Sequence, residues 1–299
     1  MTYSIVARDP ETGQFGVAVQ SHFFSVGPIV AWAEAGVGAV ATQAHAEVSY
    51  GPRGLELMRG GTPAGRALGV LVFSDKEAER RQVAMVDSLG RVAAHTGERC
   101  IPEASDRQGE GVSVQANMML KATVPDAMLA AYESATGDLA DRLLAALDAA
   151  EAEGGDIRGK QSAALLVVQG RPSDKPWADR VIDLRVEDHP QPLEELRRLT
   201  SMRRAYDAVE RAEQAALEGD METAAAEYAK AEPGVGDNVE ASFWAGVSLA
   251  AAGQEEQGRA LLAKSFARHD GWKELLRRLP AAGMFPDDTA LIDRLLAGD

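Results

Sequence analysis

The sequence has little of several features that would assign a protein to a compartment directly. Cys100 is its single cysteine, so an intramolecular disulfide is excluded and nothing indicates an oxidising compartment. No apolar stretch approaches the roughly 20 residues of a membrane helix. Charged residues also begin too early, at Arg8 and Asp9, for a signal peptide. We therefore expect a cytoplasmic protein with no membrane partner.

Positive charge is scarce as well. The chain has 31 Lys and Arg against 46 Asp and Glu, a formal net charge of −15, and the acidic excess is spread along its whole length. A nucleic-acid-binding surface needs a basic patch. We therefore expect no nucleic-acid partner, and we attribute the acidity to solubility.

Metal and nucleotide motifs are missing or broken. The five histidines stand apart from one another, without the spacing of metal ligands. The segment GGDIRGKQ (154–161) resembles a phosphate-binding loop, but Gln161 stands where Ser or Thr would bind Mg²⁺. The glycine-rich run GVGAVA (36–41) lies between two strand-like segments and is typical of a turn. We expect neither a metal nor another cofactor.

The first two thirds of the chain alternate between groups of strands and pairs of helices. Helices are predicted for SYGPRGLELMRGG, for TPAGRALGVLVF and, as a pair, for residues 118–153. Strands are predicted for YSIVAR, FGVAVQ, PIVAWA, GAVATQA, QVAMVD, RVAAHT, GVSVQA, SAALLVV and RVIDLRV. This order favours an α+β layered sandwich over alternating βαβ units.

From about residue 192 the pattern is wholly helical and contains an internal repeat. LEGDMETAAAEYAKA (217–231) aligns with AAGQEEQGRALLAKS (251–265), which places Gly219 on Gly253. An offset of about 34 residues is the tetratricopeptide (TPR) spacing. Two copies are fewer than a free-standing solenoid needs, and such helix pairs usually serve as scaffolds or binding surfaces.

Thr2 is the strongest candidate for chemistry. Methionine aminopeptidase removes Met1 when residue 2 is small, and Thr2 meets that condition. The exposed residue would carry a nucleophilic hydroxyl beside an α-amine whose pKa of about 7.7–8.0 suits a general base. One residue would then supply both nucleophile and base.

Several long motifs resemble a bacterial family of unknown function, DUF1028. They are TYSIVARDPETGQFGVAVQSHFFSVG, TQAHAEVSYGPRGLELM, RQVAMVDSLGRVAAHTGERC, VSVQANMML and GGDIRGKQSAALLVV. The resemblance implies that residues 1–200 form a four-layer αββα sandwich of the N-terminal nucleophile (Ntn) hydrolase type. It also implies that residues 201–299 form an all-α, TPR-like domain of the kind described as peptidoglycan-binding. The chain has no lysine before Lys76, so the resemblance is closer to Ntn amidases than to proteasome subunits.

The resemblance and the strand ends together give a set of candidate site residues. The catalytic candidates are Thr2, as nucleophile and base, and Asn117, as an oxyanion donor or, equally, as a helix cap. An ion pair between Asp156 and Arg158 is the structural alternative to substrate binding at that loop. The substrate-binding candidates are Ser21, His22, Gln43, His45, Asp156, Arg158, Gln161 and Ser162.

Three functions follow from these observations. The leading hypothesis is an amidohydrolase in which Thr2 cleaves an amide bond of a small-molecule or peptide-like substrate through an acyl-enzyme. The second is a non-catalytic binding module for a peptide or peptidoglycan fragment. The third is a structural protein whose sandwich packs into a homo-oligomer.

Overall fold

The structure, a computed structural model, describes residues 2–235 and 239–297. The chain divides into two compact units, Met1–Arg197 and Arg198–Asp299. The first unit is a mixed α/β domain with two antiparallel sheets, and the second is helical.

The larger sheet of the first unit has six strands in the order β10-β9-β2-β1-β8-β7. Its strands are β1 (Thr2–Arg8), β2 (Phe15–Ser21), β7 (Ser105–Gly109), β8 (Val112–Asn117), β9 (Ser162–Val168) and β10 (Arg180–Val186). The smaller sheet, β3-β4-β5-β6, contains β3 (Ala31–Glu34), β4 (Gly38–Ala44), β5 (Arg81–Asp87) and β6 (Val92–Thr96). β1 therefore lies in the interior of its sheet, paired with β2 and β8 on its two sides.

The two sheets pack against each other, and each carries helices on its other face. α1 (Gly27–Val30) is a single turn, while α2 (Tyr50–Arg59) and α3 (Ala64–Ser74) cover the smaller sheet. α4 (Val124–Ser134) and α5 (Leu139–Ala152) cover the larger one. The contact with α5 is close, since a Cβ added at Gly16 would lie 2.4 Å from Cδ1 of Leu143. Most strands are thus buried on both faces, which explains their continuous apolar runs.

The predicted hairpins YSIVAR–FGVAVQ and QVAMVD–RVAAHT are present as β1–β2 and β5–β6. The predicted strand PIVAWA is wrong in its first half. Pro28 is the second residue of the helical turn α1, because its fixed φ suits the first turn of a helix, and the strand starts only at Ala31. β7 was not predicted, since SDRQG has no apolar alternation.

The helical region comprises α6 (Pro192–Leu217), α7 (Met221–Val235), α8 (Glu240–Ala251), α9 (Glu255–Phe266), α10 (Gly271–Arg278) and α11 (Thr289–Leu296). Gly219 and Gly253, which the repeat aligns, have φ of 83° and 85° in the turns before α7 and α9. Both turns therefore need a left-handed residue, which glycine adopts at little cost. Across the described residues, no helix combines the length and apolarity that a membrane crossing needs.

Candidate active site at the Thr2 end of the sheets

One end of the two facing sheets gathers several of the buried polar side chains of the first unit. There β1 begins at Thr2, β8 ends at Asn117 and β2 ends at Ser21. On the facing sheet, β4 ends at Ala44 and β5 begins at Arg81. We call this region the Thr2 end.

Thr2 is held at this end by uncharged groups. Its side chain is buried, and its Oγ1 donates a hydrogen bond to Oγ of Ser21 over 3.1 Å. Its main-chain carbonyl accepts from Nε2 of Gln43 at 3.2 Å and from Nδ2 of Asn117 at 3.3 Å. Two side-chain amides from different sheets thus fix the backbone of Thr2.

Gln82 organises those two amides. Its Oε1 accepts from Nε2 of Gln43 at 2.8 Å and from Nδ2 of Asn117 at 2.9 Å. Its Nε2 donates to the carbonyl of Ala116 at 2.9 Å. An amide nitrogen carries two hydrogens, and Asn117 directs one to Gln82 and one to Thr2. This geometry favours Asn117 as a residue that positions Thr2 over Asn117 as an oxyanion donor.

A second layer of buried polar groups continues this network between the sheets. Oγ of Ser4 donates to Oε1 of Gln43 over 2.6 Å, and Nε2 of Gln115 donates to Oγ of Ser4 over 2.5 Å. All of these side chains are fully or almost fully buried. Sequence reasoning missed Ser4, Gln82 and Gln115, although a glutamine inside an apolar strand was a visible signal. Buried amides of this kind stabilise a fold only when they are satisfied.

Two clefts flank Thr2 and Asn117 and share Ala44 and His45. The first, of about 300 Å³, is bordered by Thr2 and Ser21. The second, of about 360 Å³, is bordered by Asn117. We call them the Thr2 cleft and the Asn117 cleft. The two clefts therefore meet at Ala44 and His45.

A buried arginine fixes the imidazole of His45. Nη1 of Arg81 contacts Nδ1 and the carbonyl oxygen of His45, each at 2.6 Å. A guanidinium can only donate, so Nδ1 accepts and the ring proton lies on Nε2. His45 therefore offers its Nε2–H as a donor beside both clefts. Sequence reasoning identified His45 but not Arg81.

Arg81 is itself held by acidic groups at the end of α3. Its Nε donates to Oδ2 of Asp75 at 2.8 Å, and its Nη2 to Oε2 of Glu77 at 3.2 Å. The hydrogen bond from Arg81 is the main cause that lowers the pKa of Asp75 to about 2, against the opposing effect of burial. Tyr50 donates to the same carboxylate over 3.0 Å. Burial and this carboxylate raise the pKa of Tyr50 above the usual phenol range.

Cys100 and His95 do not form a catalytic pair. Burial is the main cause that raises the pKa of the Cys100 thiol, and its Sγ lies 3.4 Å from the carbonyl of Arg81. A raised pKa disfavours the nucleophilic thiolate. Nε2 of His95 instead contacts the carbonyl of Ala78 at 2.8 Å. Across the described residues, no three His, Cys, Asp or Glu side chains are grouped closely enough to hold a metal ion.

Backbone strain is concentrated in the loops around the Thr2 end. Within the described residues, the non-glycine residues with positive φ are Ser25 (56°), Ala44 (66°), Glu103 (56°) and Met118 (59°). Ala44 borders both clefts, and Met118 directly follows Asn117 and borders the Asn117 cleft. Each such residue costs on the order of 1 kcal/mol, and strain of this kind clusters at functional sites.

The remaining sequence candidates lie just after β2 and in the segment that leads into β9. Asp156 is buried, accepts from the backbone N–H of His22 at 3.1 Å and pairs with Nη2 of Arg158 at 3.1 Å. Ser162 donates to the carbonyl of Phe23 at 2.5 Å, and Gln161 donates to Oδ1 of Asp188 at 3.1 Å. The structure thus brings Thr2, Ser21, Gln43, His45 and Asn117 together. It places His22, Asp156, Arg158, Gln161 and Ser162 outside both clefts.

Comparison with known proteins gives two matches. The family model DUF1028, described as a family of unknown function, matches residues 2–196. A crystal structure of protein SPO2555 from Silicibacter pomeroyi, titled as a DUF1028 protein, is similar to the chain with 32% identity and a TM-score of 0.60. That alignment covers 67% of this chain and 87% of the other. No curated protein matches.

Proposed function

The chain belongs to DUF1028, a family of unknown function, and for this member we propose an amidohydrolase of the N-terminal nucleophile type. Thr2 is the nucleophile once removal of Met1 exposes its α-amine. The observation that carries the proposal is the position of Thr2. It begins an interior strand and lines a cleft of about 300 Å³. The packing of helices, sheet, sheet and helices described above supports the finer assignment to the four-layer Ntn type.

The hydrogen-bond partners described above for Thr2 suit a neutral amine as the base. Ser21, Gln43 and Asn117, which contact Thr2, are all uncharged. An α-amine ordinarily has a pKa of about 7.7–8.0, which suits a general base at neutral pH. A proteasome-like lysine is absent from the early strands, in keeping with an amidase.

The proposed reaction has two steps. The amine of Thr2 accepts the proton of Oγ1 as Oγ1 attacks the amide carbonyl, and the resulting C–N cleavage returns that proton to the leaving amine. Water then hydrolyses the Thr2 ester, which releases a carboxylic acid. We assign the oxyanion donor to the Nε2–H of His45, because His45 lines both clefts, Arg81 holds its tautomer and both hydrogens of the Asn117 amide are engaged.

The first test is the mature amino terminus. Intact-mass measurement of the protein from its native host is expected to show a chain that starts at Thr2. Retention of Met1 would refute the proposal. The wild type, Thr2→Ser and Thr2→Ala are then compared on γ-glutamyl, aspartyl and acyl amides by mass spectrometry of the products. We expect Thr2→Ala to lose about 10³-fold or more in rate, and Thr2→Ser to retain activity.

Thr12→Ala is the matched control, since Thr12 is an exposed threonine in the β1–β2 turn. It is expected to keep the wild-type rate. If the wild type binds these amides but hydrolyses none of them, the protein is the non-catalytic binding module instead.

For the helical region we propose a TPR-like surface that binds a peptide or peptidoglycan fragment. The equivalent left-handed turns at Gly219 and Gly253, 34 residues apart, support this assignment. Cosedimentation of the full chain with purified peptidoglycan is the test. Binding that free muropeptides displace is expected, and a chain that stays in the supernatant would refute this ligand.

A further inference from the structure

The two clefts beside Thr2 have different chemistry. The Thr2 cleft is apolar apart from Thr2, Ser21, Gln43 and His45; its other lining residues are Phe23, Val26, Ile29, Val30, Val48 and two alanines. The Asn117 cleft is lined by two arginines, Arg80 and Arg99, beside Cys100 and Ile101. A substrate that spans both clefts therefore meets mainly apolar side chains in the Thr2 cleft and arginine side chains in the Asn117 cleft.

The apolar cleft has a buried floor and an exposed rim. Val26 and Val30 at its floor are 2% exposed, whereas Phe23 at its mouth is 51% exposed. An exposed aromatic at the mouth of an apolar cleft loses unfavourable contact with water when an apolar group enters. A volume of about 300 Å³ lies at the small end of ligand pockets. The cleft therefore fits a short apolar group.

The two arginines retain donors for an anionic ligand. Nη1 of Arg99 donates to Oε1 of Glu79 at 2.6 Å, and Nη1 of Arg80 lies 3.8 Å from Oε1 of Glu77. A guanidinium has five N–H donors, and its planar fork matches the two oxygens of a carboxylate. Two such groups at one cleft of a chain with net charge −15 favour the binding of an anionic group in that cleft.

The position of Thr2 decides which part of the substrate enters which cleft. The acyl group becomes bonded to Oγ1, so it must occupy the cleft that the Thr2 side chain borders. That cleft is the apolar one. The leaving amine then lies toward the Asn117 cleft, which Arg80 and Arg99 line.

We propose that the substrates are amides that join a short apolar acyl group to an amine bearing a carboxylate, as in N-acyl amino acids. This inference rests on the proposed hydrolase function. Thr2 cleaves the amide C–N bond, and water adds across it to give the apolar carboxylic acid and the free amino acid.

Four amides test the orientation. N-hexanoylglycine carries both features, N-hexanoylethanolamine lacks the carboxylate, and N-acetylglycine lacks the apolar chain. N-hexylsuccinamic acid reverses the two ends. We expect kcat/KM for N-hexanoylglycine to exceed that of each other amide by about tenfold or more, because a charge-assisted contact and a buried alkyl chain are each worth about that factor. Equal rates, or a preference for the reversed amide, would overturn the proposal.

Two variants with matched controls separate the clefts. Arg99→Gln should lower kcat/KM for N-hexanoylglycine about tenfold and leave N-hexanoylethanolamine unchanged. Arg59→Gln is its control, since Arg59 has similar exposure and a glutamate partner at the other end of the smaller sheet. Phe23→Ser should reduce the preference for hexanoyl over acetyl about threefold or more. Its control is Phe73→Ser, an exposed residue outside both clefts.

Binding to Thr2→Ala, measured by calorimetry, distinguishes failure of this inference from failure of the hydrolase. If no amide is hydrolysed but N-hexanoylglycine binds at least about tenfold more tightly than the other three, the recognition stands and the hydrolase proposal fails. If amides are hydrolysed without that order of preference, the hydrolase stands and this substrate class is refuted. If no amide is hydrolysed and none is preferred, both fail.

Discussion

Asp75→Asn should weaken the first unit in a pH-dependent way. The carboxylate of Asp75 is only 14% exposed and accepts hydrogen bonds from Arg81, Tyr50 and the backbone N–H of Glu77. The bond from Arg81 is the main cause that lowers its pKa from 3.8 to about 2. At 1.36 kcal/mol per pKa unit, this lowering corresponds to about 2 kcal/mol of folding free energy near neutral pH.

The sign of the pH dependence follows from the lowered pKa. Because the pKa is lower in the folded than in the unfolded chain, the contribution is complete above about pH 5 and is lost as pH falls toward 2. By pH 3, about half of it, roughly 1 kcal/mol, is gone. We therefore expect the stability difference between wild type and Asp75→Asn to be about 2 kcal/mol at pH 6 and to shrink by roughly 1 kcal/mol at pH 3.

Native-state hydrogen exchange, read by mass spectrometry on peptide 81–87, measures the opening free energy of β5 at each pH. Asp126→Asn is the control, since Asp126 is an exposed partner of Arg107, and such surface pairs contribute about 0–1 kcal/mol. A difference between wild type and Asp75→Asn that stays constant from pH 6 to pH 3 would refute the coupling. Loss of the Asp75 carboxylate should also make the side chain of Arg81 more mobile, so that Arg81 no longer fixes the tautomer of His45.

Two further substitutions test the network and the strain. Gln82→Met should lower the free energy of unfolding by about 2 kcal/mol and reduce any amidase rate, because Asn117 loses an acceptor. If urea denaturation gives the same free energy of unfolding for Gln82→Met as for the wild type, this prediction is wrong. Ala44→Gly should stabilise the fold by about 1 kcal/mol, because φ of 66° suits glycine. Ala94→Gly, in the strand β6, should instead destabilise the fold by about 0.5–1 kcal/mol. If the thermal unfolding temperatures of both variants shift in the same direction, the argument that Ala44 is strained is refuted.

Local patterns predicted the elements of this fold well. The hairpin β1–β2 follows from two apolar runs around a turn containing Pro10 and Gly13, and each of these signals lies within a few residues. The short helix α1 could not be separated from a strand by its apolar residues alone. β7 was missed because its side chains are polar, although its backbone pairs fully with β8.

The site was predictable only in part, because its contacts join distant segments. Thr2 was identified from its place in the sequence, and Gln43 and His45 from their position at a strand end. In β5, Gln82 faces the other sheet while Arg81 and Val83 face the helices, and both faces are buried. A strand buried on both sides gives no alternation, so nothing local indicated which face Gln82 occupies.

The buried glutamines also bear on the order in which the domain assembles. Ser4, Gln43, Gln82 and Gln115 are separated by 33 residues or more along the chain. The hydrogen bonds from Ser4 to Gln43 and from Gln82 to the carbonyl of Ala116 join the two sheets, so they exist only when both sheets are in place. Water must leave all of these amides before the contacts between the sheets can replace it. The packing of the two sheets against each other is therefore a late and cooperative step of folding. We expect substitutions at Gln82 to accelerate unfolding in stopped-flow experiments and to leave refolding rates almost unchanged. The Thr2 end would then be the last part of the domain to acquire its structure.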